Sequence, residues 1–112
     1  MSLYVFRKEE RIRLRTAFQR ISREGTKVQS RHFRVSILPN NLPYRRLGIT
    51  VGRKIGSAVQ RNRLKRLIRE FFRLNKGAFP ASSDFVITAK EGAAILNFWQ
   101  VSEEIKGMLR AQ

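Results

Sequence analysis

Apolar residues recur along this chain with two different spacings, and the spacing separates helices from strands. Between 57 and 76 they return every three or four residues, which places them on one face of a helix. The members of this stripe are Leu64, Leu67, Ile68, Phe71 and Phe72. A second such stripe predicts a helix from about 94 to 110. Its members are Ile95, Phe98, Val101, Ile105, Met108 and Leu109, with Trp99 at the edge as a packing anchor. Residues 16–24 predict a shorter helix, and Gly25 is suited to a left-handed stop after it.

Three other segments alternate between apolar and polar residues, as strands with one buried face do. They are 31–38, 46–52 and 84–89. The order helix, two strands, helix, strand, helix predicts an α+β two-layer sandwich in which the two longer helices cover the apolar face of the sheet. We expect the other face to stay half open and to present polar side chains. These are His32, Arg34, Ser36, Arg46 and Thr50, with Gly48 and Gly52 leaving room against the strand.

Phe18, in the short helix, would stand beside this open face. Cations for phosphates and an aromatic ring for bases are typical of a shallow groove for single-stranded nucleic acid. Two simpler alternatives stay open: Phe18 could be a core residue, and this face of the sheet could be an ordinary solvated surface.

The helix at 57–76 has a high density of cationic side chains on its surface. A solvated surface helix usually alternates the signs of its charges, whereas Glu70 is the only acid in this stretch. Asn62, Arg66, Arg69 and Arg73 lie opposite the apolar stripe, Arg61 and Arg63 lie on its flanks, and Lys65 lies nearer the basic side. The pattern favours a helix that packs on a core and binds a polyanion at the same time.

Composition narrows the class of partner. Lys and Arg number 24 against 8 Asp and Glu, a net charge of +16 on 112 residues, and a polyanion would relieve this self-repulsion. We expect one RNA-binding domain over 1–112, with 1–15 as a basic, mobile arm. The absence of cysteine and the single histidine exclude disulfides, thiolate metal sites and a histidine-based triad. No apolar run is long enough for a bilayer or a secretion signal, so we expect a cytoplasmic protein without a membrane partner.

The string Val51-Gly-Arg-Lys-Ile-Gly-Ser-Ala-Val-Gln-Arg-Asn-Arg-Leu-Lys-Arg-Leu-Ile-Arg69 closely resembles the signature of the bacterial ribonuclease P protein subunit. The likeness extends over nearly the whole chain, including Phe18-Gln-Arg20, Leu47-Gly-Ile-Thr-Val51 and Asp84-Phe-Val-Ile87. The resemblance implies a protein that binds the catalytic ribonuclease P RNA and helps it remove the 5′ leader from precursor tRNA. It also implies that the RNA, with bound Mg²⁺, performs the cleavage, and that this chain contributes no catalytic residue and no metal site. No obligate protein partner is implied.

The resemblance also assigns roles to residues. The residues that match the motif meeting the RNA subunit are Arg61, Asn62, Arg63, Lys65, Arg66 and Arg69, and Arg73 extends the same basic face. Phe18 matches an aromatic of the leader groove, whereas Ser22 and Ser36 stand where some members have aromatics. We therefore expect leader contacts to depend on the polar and basic groove residues. These are Arg34, Ser36, Arg46, Thr50, Arg53 and Lys54.

The family fold implies an unusual left-handed crossover around the basic helix, an arrangement also known from the second domain of a small-subunit ribosomal protein. General rules predict a right-handed crossover in about 98% of cases. Three other classes of protein share some of these features. A ribosomal or RNA-chaperone protein would share the charge but not the ordered Arg-Asn-Arg string. A helix-turn-helix protein would lack the flanking strands, and a membrane-active helix would not need its apolar face for a core.

Overall fold

A computed structural model of the chain describes residues 6–110. Its α-helices are α1 (Arg15–Glu24), α2 (Ala58–Leu74) and α3 (Phe98–Arg110), and its strands are β1 (Thr26–Gln29), β2 (Phe33–Pro39), β3 (Arg46–Thr50) and β4 (Ser83–Ala89). Short 3-10 turns occupy Lys8–Glu10, Arg53–Ile55, Lys76–Ala78 and Ala93–Ile95. The predicted α+β class and the order of the predicted elements are confirmed.

The four strands form one mixed sheet in the order β1-β2-β4-β3. β2 is antiparallel to β1 and β4, whereas β3 runs parallel to β4, and α2 connects these two neighbours. The hand of this crossover stays a prediction. Sequence patterning missed β1, because a four-residue edge strand with a single apolar residue, Val28, has almost no alternation to detect.

Phenylalanine rings fill the centre of the core between the sheet and the helices α2 and α3. The ring of Phe79 meets those of Phe71, Phe72 and Phe85 edge to face, with centroids 5.8, 5.0 and 4.9 Å away. All four side chains are buried, as are Leu64 and Ile68 of the predicted stripe. Burial of aromatic rings in this geometry contributes both apolar area and favourable edge-to-face contacts.

Local hydrogen bonds fix the start of α2. Ser57 is the N-cap of α2, where its hydroxyl accepts from the Gln60 N–H at 3.2 Å and the Gln60 side chain accepts from the Ser57 N–H at 2.8 Å. This capping box satisfies two donors that a helix start would leave unpaired. It sets the first turn of α2, and therefore the position of the Arg-Asn-Arg run within the helix.

The face of the sheet predicted to stay half open is partly covered by α1. Ile21 of α1 is buried with Val86 of β4 and Ile12. Gly25 then ends α1 in an extended conformation, with φ of −74°, so the predicted left-handed stop was wrong. A Cβ there would lie 2.6 Å from the Ile21 carbonyl oxygen and 2.9 Å from that of Ile37. Glycine is therefore required by the close approach of α1 to the sheet.

The sequence predicted a basic, mobile arm over residues 1–15. The described part of this segment, residues 6–15, instead packs against the rest of the fold. Ile12 is buried and its N–H donates to the Leu47 carbonyl at 2.9 Å, which adds a short parallel bridge to the outer edge of β3. Buried Glu10 forms an ion pair with Lys76, at 2.6 Å. The prediction counted few apolar anchors, but one buried isoleucine attaches this segment to β3 and one buried acid attaches it to the 3-10 turn that follows α2. Residues 1–5 lie outside the described part.

The last helix begins later than its apolar stripe predicted. Asn97 caps it, accepting from the Gln100 N–H at 2.8 Å, and a 3-10 turn precedes it. Ile95 lies in that turn with 82% of its surface exposed, and Trp99 is 68% exposed. Both were predicted to pack, and both predictions were wrong. Val101, Ile105 and Met108 of the same stripe are buried as predicted.

Candidate nucleic-acid interface

A groove runs between the N-terminal segment, α1, β3 and α2. It has a volume of about 310 Å³ and a lining of Phe6, Arg11, Ile12, Arg13, Phe18, Leu47, Ile49, Lys65 and Arg69. A shallower hollow continues it toward the end of β3, sharing Arg13, Phe18, Ile49 and Lys65 and adding Arg15, Thr50 and Val51. The two hollows therefore make one trough, with an apolar floor and cationic walls.

Phe18 forms part of the floor, and Gly48 makes room for it. A Cβ at Gly48 would lie 2.6 Å from the Cζ atom of the Phe18 ring. The sequence predicted that this glycine leaves space for a ligand, but the ring of Phe18 occupies that space. Phe18 is half-buried, so one part of the ring contacts the sheet and Ile12 while the rest borders the trough. Phe18 is thus partly a core residue, and its role as a surface for bases stays a prediction.

Five cations line the trough: Arg11, Arg13, Arg15, Lys65 and Arg69. Within residues 6–110 none of them forms an ion pair with an acid of this chain. Partial burial, and then the charge of Arg11, lowers the pKa of Arg69 from its ordinary value. Arg11 itself lies over the ring of Phe6, 4.8 Å from its centroid. Cations held close together without acids destabilise the isolated protein slightly and favour a bound anion.

The predicted RNA-binding residues of α2 divide into three groups in the structure. Asn62 and Arg66 are exposed on the outer side of the helix. Lys65 and Arg69 instead line the trough beside Phe18. The structure thus brings two residues assigned to the RNA subunit together with the aromatic assigned to the leader.

The third group has intramolecular partners. Arg61 donates to the Gly56 carbonyl at 2.7 Å, and Arg73 pairs with Glu70. Arg63 donates to the Leu96 carbonyl at 3.0 Å and more weakly to that of Ala94, which fixes the 3-10 turn Ala93–Ile95 against α2. These guanidinium groups help to hold the fold, and an RNA contact would have to use their remaining N–H groups.

Two of the residues predicted to bind the leader, Ser36 and Arg46, are buried or paired within the fold. Ser36 is only 2% exposed, because α1 lies over it. Arg46 donates to both carboxylate oxygens of buried Asp84, at 2.7 and 2.6 Å. Asn40 donates to the same carboxylate at 2.8 Å. Neither Ser36 nor Arg46 is therefore placed to contact a ligand freely, and sequence alternation could not reveal this because it does not show which sheet positions α1 covers.

The remaining leader residues lie where the sheet face is uncovered. Arg34 and Thr50 flank Thr88 in one row across three strands. The Nε atom of Arg34 is buried and makes no hydrogen bond within the described residues, so it is a donor without an acceptor. Arg53 and Lys54 are exposed in the turn that follows β3. Thr50 also lines the second hollow, so this row continues the trough along the sheet.

Sequence reasoning missed the N-terminal contribution to this site. Arg11, Arg13 and Arg15 line the two hollows, although the sequence assigned them to a loose arm. Their regular spacing of two residues was a usable signal, because alternate residues of an extended segment point to the same side. The buried Ile12 between them is the residue that turns this side toward the trough.

The single histidine belongs to a polar cluster on the other side of the molecule. The Nδ1 atom of His32 lies 2.8 Å from Glu104 Oε1, the His32 N–H donates to Oε2 at 2.7 Å, and the Ser30 hydroxyl donates to the same oxygen. Burial by itself would raise the pKa of Glu104, but these hydrogen bonds outweigh burial and hold the pKa below its ordinary value. The cluster joins the connection between β1 and β2 to α3. Among residues 6–110 there is no group of three or more acidic or histidine side chains that could hold a metal, and no helix that could span a bilayer.

The chain is similar to known proteins over nearly its whole length. A family model described as Ribonuclease P matches residues 6–112. The chain is 45% identical over 109 residues to the ribonuclease P protein component of Syntrophus aciditrophicus, covering 97% of this chain and 92% of the relative. It is 42% identical to that of Thermotoga maritima, covering 94% and 93%.

Solved structures give the same result. The RNase P protein of Staphylococcus aureus superposes with a TM-score of 0.84 at 34% identity, covering 91% of this chain and 94% of that one. The RNase P protein of Thermotoga maritima superposes with a TM-score of 0.83 at 40% identity, covering 92% and 97%.

Proposed function

Since this chain belongs to the ribonuclease P protein family, we propose that it binds the catalytic RNA of ribonuclease P through the outer side of α2 and holds the 5′ leader of precursor tRNA in the trough beside Phe18. The family implies a role in 5′ maturation of tRNA within an endoribonuclease. The division of the basic residues between two surfaces, and the partner of each surface, are our proposal.

One observation carries the assignment of the leader to the trough. Five cations without acidic partners among the described residues surround a floor that includes the exposed part of an aromatic ring. An extended single strand suits this combination, because its phosphates bind cations and its unstacked bases stack on an aromatic ring. A folded duplex could not place its bases on this floor.

The outer side of α2 suits a structured RNA instead. Asn62 and Arg66 are exposed there on a helix that its capping box and buried stripe make rigid. An arginine held on a rigid helix can meet a fixed phosphate of a folded RNA, and each neutralised phosphate releases counterions. Lys65 and Arg69 lie between this side and the trough, so we propose that they neutralise phosphates where the leader meets the catalytic RNA.

We propose that the RNA and its Mg²⁺ perform the cleavage, and that this chain contributes binding affinity and charge screening. The acids that are buried in this chain already have intramolecular cations, with Glu10 on Lys76 and Asp84 on Arg46. Such carboxylates cannot take up hydrated magnesium without giving up these ion pairs.

Reconstitution tests the whole proposal. The protein should increase 5′ leader removal when it is added to the RNA subunit at low magnesium, and a preparation from cells should contain that RNA rather than ribosomal subunits. If the protein leaves cleavage unchanged and follows ribosomal subunits, a ribosomal or RNA-chaperone function is correct instead.

Two variants separate the two surfaces. Arg66→Ala should weaken binding to the RNA subunit and reduce the salt slope of that binding by roughly 1, the contribution of one phosphate. Phe18→Ala should weaken binding of precursor tRNA to the holoenzyme and leave mature tRNA unaffected. Arg110→Ala, which removes an exposed arginine at the end of α3, is the matched control and should change neither. Equal losses for precursor and mature tRNA in Phe18→Ala would contradict the assignment of the leader to the trough.

A further inference from the structure

An exposed apolar patch lies outside the trough, where α2, the turn Ala93–Ile95 and α3 begin. Its members are Val59, Ile95 and Trp99, exposed by 79%, 82% and 68%. Arg63 joins these elements, since it stands one turn after Val59 and donates to the carbonyl groups on both sides of Ile95. The three side chains therefore belong to one corner of the molecule. Neither the fold nor the trough uses them.

The position of Val59 makes this patch continuous with the proposed RNA-binding side of α2. On a helical wheel Val59 lies between Arg66, on the outer side, and Arg63, which faces the turn. An apolar surface bordered by arginines does not suit a second copy of this chain, because two molecules of charge +16 would repel each other there. It suits the face of an unpaired nucleobase whose flanking phosphates lie on the arginines.

Trp99 is the residue best suited to receive such a base. It is in the first turn of α3, a turn fixed by the reciprocal hydrogen bonds of Asn97 and Gln100, and Phe98 beside it packs against the core. The indole is thus presented from a rigid support. The acid nearest in sequence on this helix, Glu103, lies one turn further along, so the phosphates are expected on the α2 side of the ring.

From these observations we infer that Trp99, with Ile95 and Val59, stacks on an unpaired nucleobase of the catalytic RNA subunit. The inference rests on the proposed function, because it takes the RNA on α2 to be that subunit. It adds a base contact to an interface otherwise made of phosphate contacts. Such a contact fixes the register of the protein on the RNA as well as its affinity.

Intrinsic fluorescence tests this directly, since Trp99 is the only tryptophan in the chain. Titration with the RNA subunit should change the intensity of its emission, and precursor tRNA or anionic phospholipid vesicles alone should not. Unchanged emission at an RNA concentration where binding is complete by filter retention would overturn the inference and leave the proposed function standing. Absence of RNA binding by filter retention would overturn both. A response to vesicles or to protein concentration alone would show a lipid or self-association surface and also overturn it.

Variants supply the second measurement. Trp99→Ala should weaken RNA-subunit binding by roughly 5- to 150-fold, the range for loss of one base–aromatic stack, with the salt slope unchanged because no phosphate contact is removed. Trp99→Phe should restore most of the affinity. Leu74→Ala, at an exposed leucine of the far end of α2, is the control and should bind like the wild type. Equal affinity of Trp99→Ala and the wild type would refute the contact.

Discussion

Replacing Gly48 by alanine tests how tightly β3 seats the ring of Phe18. The new Cβ would lie 2.6 Å from Cζ and 2.7 Å from Cε1 of that ring, and 3.3 Å from the Cβ of Ile12. Ordinary carbon contacts are near 3.5–4.0 Å, so the ring would have to move outward by about 1 Å. Forcing one methyl group into a packed site typically costs about 1–3 kcal/mol. The ring lies at the end of a rotatable side chain, so we expect the lower half of that range.

The same displacement should affect binding. A moved ring no longer forms the floor of the trough, so the holoenzyme should lose affinity for precursor tRNA, by up to the roughly 1–3 kcal/mol that one stacked base contributes. Affinity for mature tRNA should not change. Thermal unfolding and competition binding with the two tRNAs measure the two effects, and the unfolding midpoint should fall by about 4 °C for each 1 kcal/mol.

Two controls isolate the contact between Gly48 and Phe18. Gly52→Ala adds the same methyl group at a position with no atom within 4 Å, so it should be neutral or slightly stabilising. In a Phe18→Ala background the substitution Gly48→Ala should cost almost nothing, because the clash is gone, which gives a coupling energy of about 1–2 kcal/mol. The reasoning is refuted if Gly48→Ala behaves like Gly52→Ala, or if its cost persists without the ring.

Three further predictions concern stability. The pKa of Glu104 is lowered from 4.5, so its stabilising effect is present above that pH and is lost as the pH falls through the lower folded-state value. Chemical denaturation between pH 6 and 3, a range spanning about the carboxylate titration, should show a steeper loss in the wild type than in Glu104→Gln, and parallel curves would contradict the role of the cluster. Arg46→Ala should cost about 3 kcal/mol in urea unfolding, because it leaves the carboxylate of Asp84 buried without its cation. A loss below about 0.5 kcal/mol, as at ordinary surface sites, would return Arg46 to the leader-binding set. Phe79→Ala should cost about 3–5 kcal/mol, since three rings pack against this one, and a cost near 1 kcal/mol would mean that the core collapses into the space.

The basic helix was the part of the molecule most completely predictable from sequence. Its apolar stripe is local information at a spacing of three or four residues, and a capping box at Ser57 and Gln60 marks its start. The C-terminal helix was predicted less well, because its cap at Asn97 competes with an apolar pattern that extends further back to Ile95. Sequence periodicity alone does not tell whether a residue at the end of a stripe packs or, like Trp99, faces solvent.

The amino-acid sequence by itself determined the partner class, the α+β arrangement and the family, because charge, periodicity and the Arg-Asn-Arg string are all properties of consecutive residues. Only the tertiary structure decided which polar residues remain available. Ser36 and Arg46 occupy the same kind of alternating position as Arg34 and Thr50. In the structure, however, α1 covers Ser36, and Asp84 forms an ion pair with Arg46. The trough likewise joins the N-terminal segment and α1 to β3 and α2, which lie further along the chain, and its position depends on how Ile12 and Phe18 pack against β3. Such long-range packing leaves no local pattern, which is why the sequence indicated a groove but not the residues that form its walls.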